Sequence, residues 1–254
     1  MKELLDFAIQ TAEQAGKITL KYFQSGVEVE SKKDDSPVTI ADRETEDFIR
    51  SEIEKRFPDD AILGEEFGGR EGKTGFRWLL DPIDGTKSFI CGVPLYGTMI
   101  SLEKEGRPIL GVIRFPPLQQ TLAALEGNGC TINGNPCRVS ETSELSESLL
   151  TMTSYGDLMR DWGEDILIRL IKKTGLHRTW GDCYGYLMVA TGQADISLDT
   201  IVQIWDVAAL IPIIQEAGGR ITNLNNDTSI HMSNTIATNG ILHDQVLNLI
   251  KPKG

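Results

Sequence analysis

Residues 77–86, RWLLDPIDGT, decide the fold: an apolar β-strand leads directly into two carboxylates, a glycine and a hydroxyl. The two aspartates, Asp81 and Asp84, can converge on one point if the chain turns at the proline between them. Mg²⁺ takes oxygen ligands, chiefly carboxylates, carbonyls and water. If a helix begins at Gly85 and Thr86, its free backbone N–H groups also suit a phosphate. The stretch therefore predicts a site for a divalent metal and a phosphate, the alternative being a strand that ends in an acidic turn.

Two other segments place acids at the ends of predicted elements. Residues 63–66, LGEE, are a second apolar strand end followed by Glu65 and Glu66. Residues 204–206, IWD, put Asp206 at the start of an otherwise apolar helix. Because an acid in the first turn is favoured by the helix dipole, Asp206 can equally be a helix cap.

The chain has 254 residues, of which 40% are hydrophobic and 24% charged, as in ordinary globular proteins. This length allows one large domain or two small ones that share a core. The net charge of −12 argues against a nucleic-acid surface, which needs clustered Lys and Arg. An acidic protein also repels a phosphate dianion, so a phosphate site here requires a divalent cation.

The sequence contains no apolar run long enough to span a bilayer. Residues 1–23 have helically spaced apolar residues with charges between them, unlike the continuous apolar core of a signal peptide. We therefore expect a cytoplasmic protein without membrane contact. The four cysteines have no C-x-x-C spacing and only three histidines accompany them, which favours reduced thiols over a zinc site. They are Cys91, Cys130, Cys137 and Cys183.

The periodicity of the chain differs between its two halves. Helices are predicted near 3–23, 42–57, 157–173, 183–192, 206–217 and 241–251. Strands are predicted near 61–63, 77–80, 98–102, 111–114, 149–153, 177–180, 195–198 and 236–238, with a tight turn at 133–136 (NGNP) before another β-like stretch. The first half is typical of an α+β arrangement and the alternating second half of an α/β arrangement. We predict two subdomains that meet near Ser140. Residues 1–140 would carry most candidate metal ligands, and 141–254 would carry Asp206 and the substrate-facing residues.

In order and context, these segments resemble the signatures of the inositol-monophosphatase superfamily. The resemblance rests on Glu65-Glu66, the hexapeptide 81–86, Trp205-Asp206, residues 36–39 (SPVT) with Ala41-Asp42 upstream, and residues 216–219 (EAGG) downstream. It extends over nearly the whole chain. It implies a layered αβαβα sandwich, two or three Mg²⁺ ions, inhibition by lithium and a homodimer.

The resemblance also implies roles for individual residues. Metal ligation is implied for Glu65, Asp81, Asp84, Asp206 and the backbone carbonyl of Ile83. Asp42 and Thr86 would orient and deprotonate the attacking water, with Glu65 completing the catalytic set. Lys33 falls where the family carries a mobile lysine near the third metal, although a surface lysine beside Lys32 is an equal interpretation.

The repulsion between the acids of such a site also indicates bound divalent cations. At ~4 Å and an effective dielectric of about 20, each pair of like charges costs about 4 kcal/mol. Clustered carboxylates therefore need divalent cations, which also activate water and clamp a phosphoryl group. We expect direct in-line attack by water on a small phosphate monoester, with no phosphoenzyme.

Two segments favour one branch of the superfamily. Inositol-type members usually carry Thr-Asn-Phe after the hexapeptide, whereas residues 87–98 (KSFICGVPLYGT) and 180–184 (WGDCY) look like the histidinol-phosphate phosphatase branch of histidine biosynthesis. Histidinol phosphate carries an ammonium and an imidazole, which Asp182 and Asp199 can pair with. Asp182 can instead be a helix cap, and Asp199 a solvated loop acid or an acceptor for a polyol such as inositol phosphate. Lys87 either reaches the phosphate or lies on the surface. The predicted substrate-binding residues are Asp84, Gly85, Thr86, Lys87, Asp182 and Asp199.

The sequence argues against two other classes of protein. A haloacid-dehalogenase-type phosphatase has an Asp-Gly-Thr loop after a strand, but it needs two acids two positions apart, and Pro82 stands two before Asp84. A non-catalytic regulator could lose any of the acids, whereas every expected one is present. A metal-dependent phosphatase whose partner is a small phosphate ester fits the sequence best, with inositol 1-phosphate or a related sugar or nucleotide phosphate as the alternative substrate.

Overall fold

The computed structural model describes residues 1–31 and 37–251, so that Lys33 and Ser36 lie outside the described residues. Within those ranges the strands form a two-stranded ribbon, an eight-stranded sheet and a five-stranded sheet. The strands are β1 (Val29–Ser31), β2 (Pro37–Thr39), β3 (Ala61–Gly64), β4 (Gly68–Arg70), β5 (Phe76–Asp84), β6 (Gly97–Lys104), β7 (Arg107–Phe115), β8 (Gln120–Leu125), β9 (Cys130–Ile132), β10 (Asn135–Cys137), β11 (Leu149–Met152), β12 (Leu176–Arg178), β13 (Ile196–Asp199), β14 (Arg220–Thr222) and β15 (Thr235–Thr238). The helices are α1 (Lys2–Tyr22), α2 (Ile40–Arg56), α3 (Thr86–Ile90), α4 (Tyr155–Asp161), α5 (Glu164–Lys173), α6 (Asp182–Ala190), α7 (Ile204–Glu216) and α8 (His243–Ile250). Among the described helices, none combines the length and the apolar character needed to cross a membrane.

The larger sheet has the strand order β10-β9-β8-β7-β6-β5-β3-β4. Its neighbouring strands are antiparallel except β3 and β5, which run parallel. Helices α1 and α2 cover one face of this sheet. Small residues on the buried side of α1 (Ala8, Ala12 and Ala15) let the helix lie close to large strand side chains such as Trp78 and Leu80.

Helices α6 and α7 form a middle layer between the two sheets. Helix α7 contacts β6 and β7 of the larger sheet and β14 and β15 of the smaller one. Because α7 is covered from both sides, residues 207–214 are all buried. At the closest approach, a Cβ added to Gly111 of β7 would lie 2.2 Å from the Ala209 carbonyl oxygen. Gly111 therefore lets the helix backbone rest directly on the strand.

The smaller sheet has the strand order β12-β11-β13-β15-β14. The first three strands are parallel, and β15 is antiparallel to both of its neighbours. On its outer side, Leu170 of α5 and Val246 of α8 share a core with Ile196 of β13. The layers are thus α1 and α2, the larger sheet, α6 and α7, the smaller sheet, and α4, α5 and α8. This arrangement confirms the predicted αβαβα sandwich.

The structure differs from the predicted elements in two places. The single helix expected over 157–173 is wrong, because the chain forms α4 and α5 with a break at Gly163. Gly163 has a φ of 101°, a backbone conformation that residues with a Cβ atom avoid. A turn at Pro82 was the condition given for the convergence of Asp81 and Asp84, and the structure has no turn there, since β5 continues to Asp84. The predicted turn at 133–136 is confirmed as the β9–β10 hairpin. The pattern did not predict β1, β2, β4, β8, β9, β14 or α3.

The two sheets come from separate parts of the chain. The larger sheet lies within 61–137 and the smaller one within 149–238, on either side of Ser140. Helix α7 nevertheless contributes to the cores of both sheets. The division into subdomains 1–140 and 141–254 therefore stays a prediction.

Candidate active site

The parallel pair β3 and β5 brings the first acids together. Gly64, the last residue of β3, is the register partner of Leu80, which directly precedes Asp81 on β5. The backbone N–H of Glu65 donates to the Leu80 carbonyl at 3.2 Å, which continues the pairing by one residue. Glu65 therefore follows β3 at the level where Asp81 stands on β5.

A β-bulge, not a turn, brings Asp81 and Asp84 to one site. Residues three apart on a regular strand point to opposite faces, so the spacing alone would separate these two carboxylates. The pairing of β5 with β6 shifts register between Asp81 and Asp84. Such a bulge re-aims side chains. The backbone N–H of Ile83 donates to Asp81 Oδ1 at 3.0 Å, and the Thr98 hydroxyl donates to the Pro82 carbonyl at 2.9 Å.

Helix α7 supplies the third carboxylate from the middle layer. Asp206 Oδ2 accepts the backbone N–H of Gln203 at 2.7 Å, so Asp206 does cap its helix. One oxygen from each of Asp81, Asp84 and Asp206 lies within 4.8 Å of the others. Capping and metal ligation are therefore compatible for Asp206, because one carboxylate has two oxygens.

The electrostatics of this three-aspartate cluster favour a cation. Burial, followed by the charges of Glu65 and Asp84, raises the pKa of Asp81 well above its usual range. Burial, Asp182 and Asp206 raise the pKa of Asp84 likewise. The pKa of Asp206 is raised to about 7, again by burial first. Carboxylates held in this way are the hard oxygen donors that a divalent metal takes, so the cluster fits the implied metal.

Ile83 lies between the two β5 aspartates, and Thr86 follows them. The buried Ile83 side chain packs with Ala41, Phe89 and Tyr96, which fixes its backbone. The Thr86 hydroxyl donates to the Ile83 carbonyl at 3.0 Å. A carbonyl oxygen has a second lone pair, so it can still serve as a ligand. The Thr86 hydroxyl keeps its hydrogen in this bond, so its oxygen can still accept a hydrogen bond from a water molecule.

Asp42 lies in the first turn of α2, and only one of its two carboxylate oxygens takes part in the capping box. Its Oδ2 accepts the backbone N–H of Thr39 at 2.8 Å and the Thr39 hydroxyl at 2.7 Å. Its Oδ1 is buried and has no hydrogen-bond partner among residues 1–31 and 37–251. Burial, with a smaller contribution from the charge of Glu65, raises its pKa to about 6. An unpaired buried carboxylate oxygen suits the predicted role of receiving a proton.

Asp182 lies beside the loop that follows β5. A Cβ added to Gly85 would lie 3.1 Å from Asp182 Oδ2, and the Ser88 hydroxyl donates to the same oxygen at 3.5 Å. Burial raises the pKa of Asp182, and the exposed Lys87 nearby opposes that shift. Helix α6 begins at Asp182 itself, and its cap position is Gly181. The alternative interpretation, that Asp182 is the helix cap, is therefore wrong.

Asp199 ends β13 in the same pocket and is buried, with 8% of its surface exposed. The Tyr186 hydroxyl donates to Asp199 Oδ2 at 2.7 Å, and the Thr153 hydroxyl donates to Oδ1. Burial raises the pKa of Asp199 to about 7, and these two hydrogen bonds oppose the shift. The alternative of a solvated loop acid is wrong. No local pattern predicts the contacts with Tyr186 and Thr153, which are distant from Asp199 along the chain.

One pocket joins the metal-ligand candidates to these two acids. It is lined by Asp84, Met99, Thr153, Ser154, Asp157, Leu158, Asp182, Cys183, Tyr186, Leu198, Asp199, Thr200, Ile201, Val202, Asp206 and Leu210. The backbone N–H of Cys183 donates to Asp84 Oδ2 at 2.5 Å, which connects α6 to the cluster. The pocket therefore contains two pairs of acids, Asp84 and Asp206 of the metal cluster and the pair Asp182 and Asp199.

The family profile of the inositol monophosphatases matches residues 1–252. The chain belongs to the inositol monophosphatase family, whose members are phosphoric monoester hydrolases. A histidinol-phosphatase of Chlorobaculum parvum is 49% identical over 216 residues, which cover 85% of this chain and 83% of that protein. A histidinol-phosphatase of Mycobacterium tuberculosis is 37% identical over 249 residues and 96% of both chains. The solved structure of an IMPase from Thermotoga maritima has a TM-score of 0.90 at 32% identity, with 98% of this chain and 97% of that one covered. The predicted family and class of enzyme are confirmed.

Proposed function

We propose that this chain hydrolyses L-histidinol phosphate to L-histidinol and phosphate, a reaction of histidine biosynthesis. The observation that carries the proposal is the pocket in which Asp84 and Asp206 share the walls with Asp182 and Asp199. A phosphate ester with a cationic group at its other end fits this pocket. Its phosphate would bind at the metal held by Asp84 and Asp206, and its cation would pair with Asp182 and Asp199. The similarity to two histidinol-phosphatases supports the same substrate.

The proposed metal ligands are Glu65, Asp81, Asp84, Asp206 and the Ile83 carbonyl. A bound divalent metal would supply the positive charge that offsets these acids, activates water and stabilises the transferring phosphoryl group. Mg²⁺, at two or three ions per chain, is the proposed metal because every donor is a hard oxygen. Inhibition by lithium, a role for Lys33, a homodimer and a cytoplasmic location stay predictions.

Asp42 and Thr86 would handle the attacking water. The Thr86 hydroxyl donates a hydrogen bond to the Ile83 carbonyl, so its oxygen can accept a hydrogen bond from the water and orient it. The unpaired Oδ1 of Asp42 would receive the proton that the water loses. The chain then needs no nucleophile of its own and forms no covalent intermediate. The water oxygen bonds to phosphorus as the bond from phosphorus to the histidinol oxygen breaks, and that oxygen takes up a proton, so that histidinol and phosphate are the products.

The substrate's cationic groups would face Asp182 and Asp199, with Gly85 and Lys87 near the phosphate. Hydrogen bonds between an ammonium and a carboxylate are charge-assisted, which makes them stronger than neutral ones. The Tyr186 hydroxyl that donates to Asp199 opposes the rise of its pKa, so it favours the ionised form that a cation requires.

Inositol 1-phosphate is the second candidate substrate. A buried acid such as Asp199 can accept hydrogen bonds from the hydroxyl groups of a polyol as readily as from an ammonium. A relative in Thermotoga maritima, named a fructose-1,6-bisphosphatase/inositol-1-monophosphatase, is 34% identical over 249 residues. Polyol phosphates therefore belong in any test of specificity.

The test is phosphate release with Mg²⁺ from four esters: histidinol phosphate, inositol 1-phosphate, fructose 1,6-bisphosphate and 3′-phosphoadenosine 5′-phosphate. We expect kcat/KM for histidinol phosphate to exceed the others by at least about tenfold, equivalent to ~1.4 kcal/mol. A preference for inositol 1-phosphate would overturn the substrate and leave the class intact. A lack of turnover on every ester would contradict the phosphatase proposal, and a trapped aspartyl-phosphate would contradict the mechanism.

A further inference from the structure

Glu46 is a completely buried carboxylate that the proposed chemistry does not use. Its Oε2 accepts the backbone N–H of Glu66 at 2.7 Å, and its Oε1 accepts the backbone N–H of Phe67 at 3.2 Å. The Arg50 guanidinium donates to Oε1 at 2.7 Å from one helical turn further along α2. A buried charge is costly unless it is paired and hydrogen-bonded, and Glu46 meets both conditions.

The Glu46 carboxylate also fills the space beneath the end of β3. A Cβ added to Gly64 would lie 2.1 Å from Glu46 Oε1. Glu46 therefore touches the residue before Glu65 and binds the backbone of the residue after it. The short segment 64–67 is held on both sides of the proposed metal ligand.

We infer that Glu46 is a positioning residue, which fixes the backbone of segment 64–67 so that the Glu65 carboxylate stays directed at the metal cluster. Arg50 balances the Glu46 charge and keeps its carboxylate in place. Helix α2 then serves the site twice, with Asp42 in its first turn and Glu46 one turn later. This inference rests on the metal centre of the proposed function.

The principal test is Glu46→Gln. The amide can accept from one of the two backbone N–H groups, but its NH₂ end opposes the other donors. Loss of a group that orients a metal ligand typically weakens metal binding by about 10- to 100-fold. We expect Mn²⁺ affinity, measured by calorimetry and electron paramagnetic resonance, to fall in that range. At saturating Mg²⁺, kcat and KM should stay within about threefold of wild type, because no group that touches the substrate has changed.

The matched control is Asp47→Asn, which removes the same charge from the neighbouring, exposed position of α2. Its Mn²⁺ affinity should equal that of wild type. A cycle with Glu65→Gln separates positioning from general stability. If Glu46 acts through Glu65, adding Glu46→Gln to Glu65→Gln should not weaken Mn²⁺ binding further. Additive losses in the double variant would overturn the inference.

Arg50→Ala provides a test if Glu46→Gln does not fold. This side chain is partly exposed, and its loss should weaken Mn²⁺ binding in the same direction by a smaller factor. Unchanged Mn²⁺ affinity in a folded Glu46→Gln or Arg50→Ala protein would overturn the positioning role alone. Wild-type protein that binds no Mn²⁺ would overturn the metal centre and this inference together.

Discussion

Asp84 is the residue at which metal binding and folding oppose each other. The backbone N–H of Cys183 stabilises its carboxylate, while burial and the charges of Asp182 and Asp206 raise its pKa. Without a cation, the ionised form of Asp84 is therefore destabilised by its surroundings. With a cation bound, the ionised carboxylates of Asp84 and the neighbouring Asp81 and Asp206 would be stabilised as its ligands.

Replacement of Asp84 by Asn should abolish turnover and leave the fold intact. The amide keeps the shape and can still accept from Cys183, but it removes one of the repelling charges and one anionic ligand. We expect no phosphate release above background at any Mg²⁺ concentration. In the metal-free state, Tm should equal or exceed that of wild type. Retained turnover, or a lower Tm in the absence of metal, would contradict the role given to Asp84.

Replacement of Asp199 by Asn should separate cationic from neutral substrates. Hydrogen bonds to charged groups contribute about 1.5–3 kcal/mol, so kcat/KM for histidinol phosphate should fall about 10- to 100-fold. Phenyl phosphate, which lacks a cation, should change by less than about threefold by the same reasoning.

Asp157→Asn is the matched control for Asp199→Asn. Asp157 lines the same pocket but is already paired with Arg160 at 2.6 Å. Its replacement should therefore affect neither substrate strongly. Equal losses on histidinol phosphate and phenyl phosphate in Asp199→Asn would contradict the cation-binding role and indicate damage to the pocket.

His243 makes folding sensitive to acid at a site remote from the pocket. Its ring is completely buried between the Thr222 and Thr238 hydroxyls, each 3.0 Å from a ring nitrogen. Burial, followed by the charge of Arg220, lowers its pKa from 6.5 to about 4. The unfolded chain thus binds a proton at a higher pH than the folded chain. The stability from His243 is fully present above pH 6.5 and falls as the pH drops towards about 4.

The measurement is urea unfolding of wild type and His243→Gln at pH 7.5 and 4.5. The drop in the free energy of unfolding between the two pH values should be larger in wild type, by an amount on the order of 2 kcal/mol. Equal drops in both proteins would show that His243 does not carry this acid sensitivity.

At the scale of elements, α7 reaches the site because β7 lets its backbone come close. Gly111 has no side chain where Ala209 approaches, so a methyl group would meet backbone atoms that cannot rotate away. Gly111→Ala should destabilise the protein by about 1–3 kcal/mol or more, as overpacking does. Because Asp206 lies in the first turn of the displaced helix, Mn²⁺ affinity should fall as well.

Gly69→Ala is the control for Gly111→Ala, since a Cβ there would make only ordinary contacts at 3.8 Å or more. Urea unfolding and Mn²⁺ titration of both variants check the prediction. If Gly111→Ala were as stable as wild type, α7 could shift without any loss of folding free energy, and the prediction would be wrong.

The predictions from sequence were strongest where chemistry and local pattern coincide. The sequence predicts that the acids after β3, in β5 and in the first turn of α7 share one site. The sandwich fold is confirmed, and it brings Asp81, Asp84 and Asp206 together, while the ligand roles stay predictions. The bulge in β5 was missed because residues 81–84 give no sign of the register shift that β6 imposes. Glu46 was missed for another reason: on a helix rich in charge, nothing local distinguishes the one acid that the sheet buries.

At the scale of the whole molecule, the site joins separate layers. Asp81 and Asp84 belong to the larger sheet, Asp206 to the middle helices, and Asp42 to the outer helix α2. Asp42 and Asp81 are buried and Asp84 and Asp206 are half-buried, and burial and the charges of the other three raise the pKa of Asp81. The net charge of −12 adds to this repulsion. A cation at the cluster should therefore stabilise the whole sandwich rather than one loop.

Saturating Mg²⁺ should accordingly raise Tm. A ligand at 100 times its Kd stabilises the folded state by about 2.7 kcal/mol. At roughly 2–4 °C per kcal/mol for a chain of this size, the expected rise is about 5–10 °C, reversed by EDTA. NaCl at equal ionic strength controls for general screening of the acidic surface. Asp84→Asn controls for the site, and its Tm should respond to Mg²⁺ no more than to NaCl. An equal rise with both salts in wild type would show that the cation acts on net charge alone, and that the three aspartates hold no specific metal.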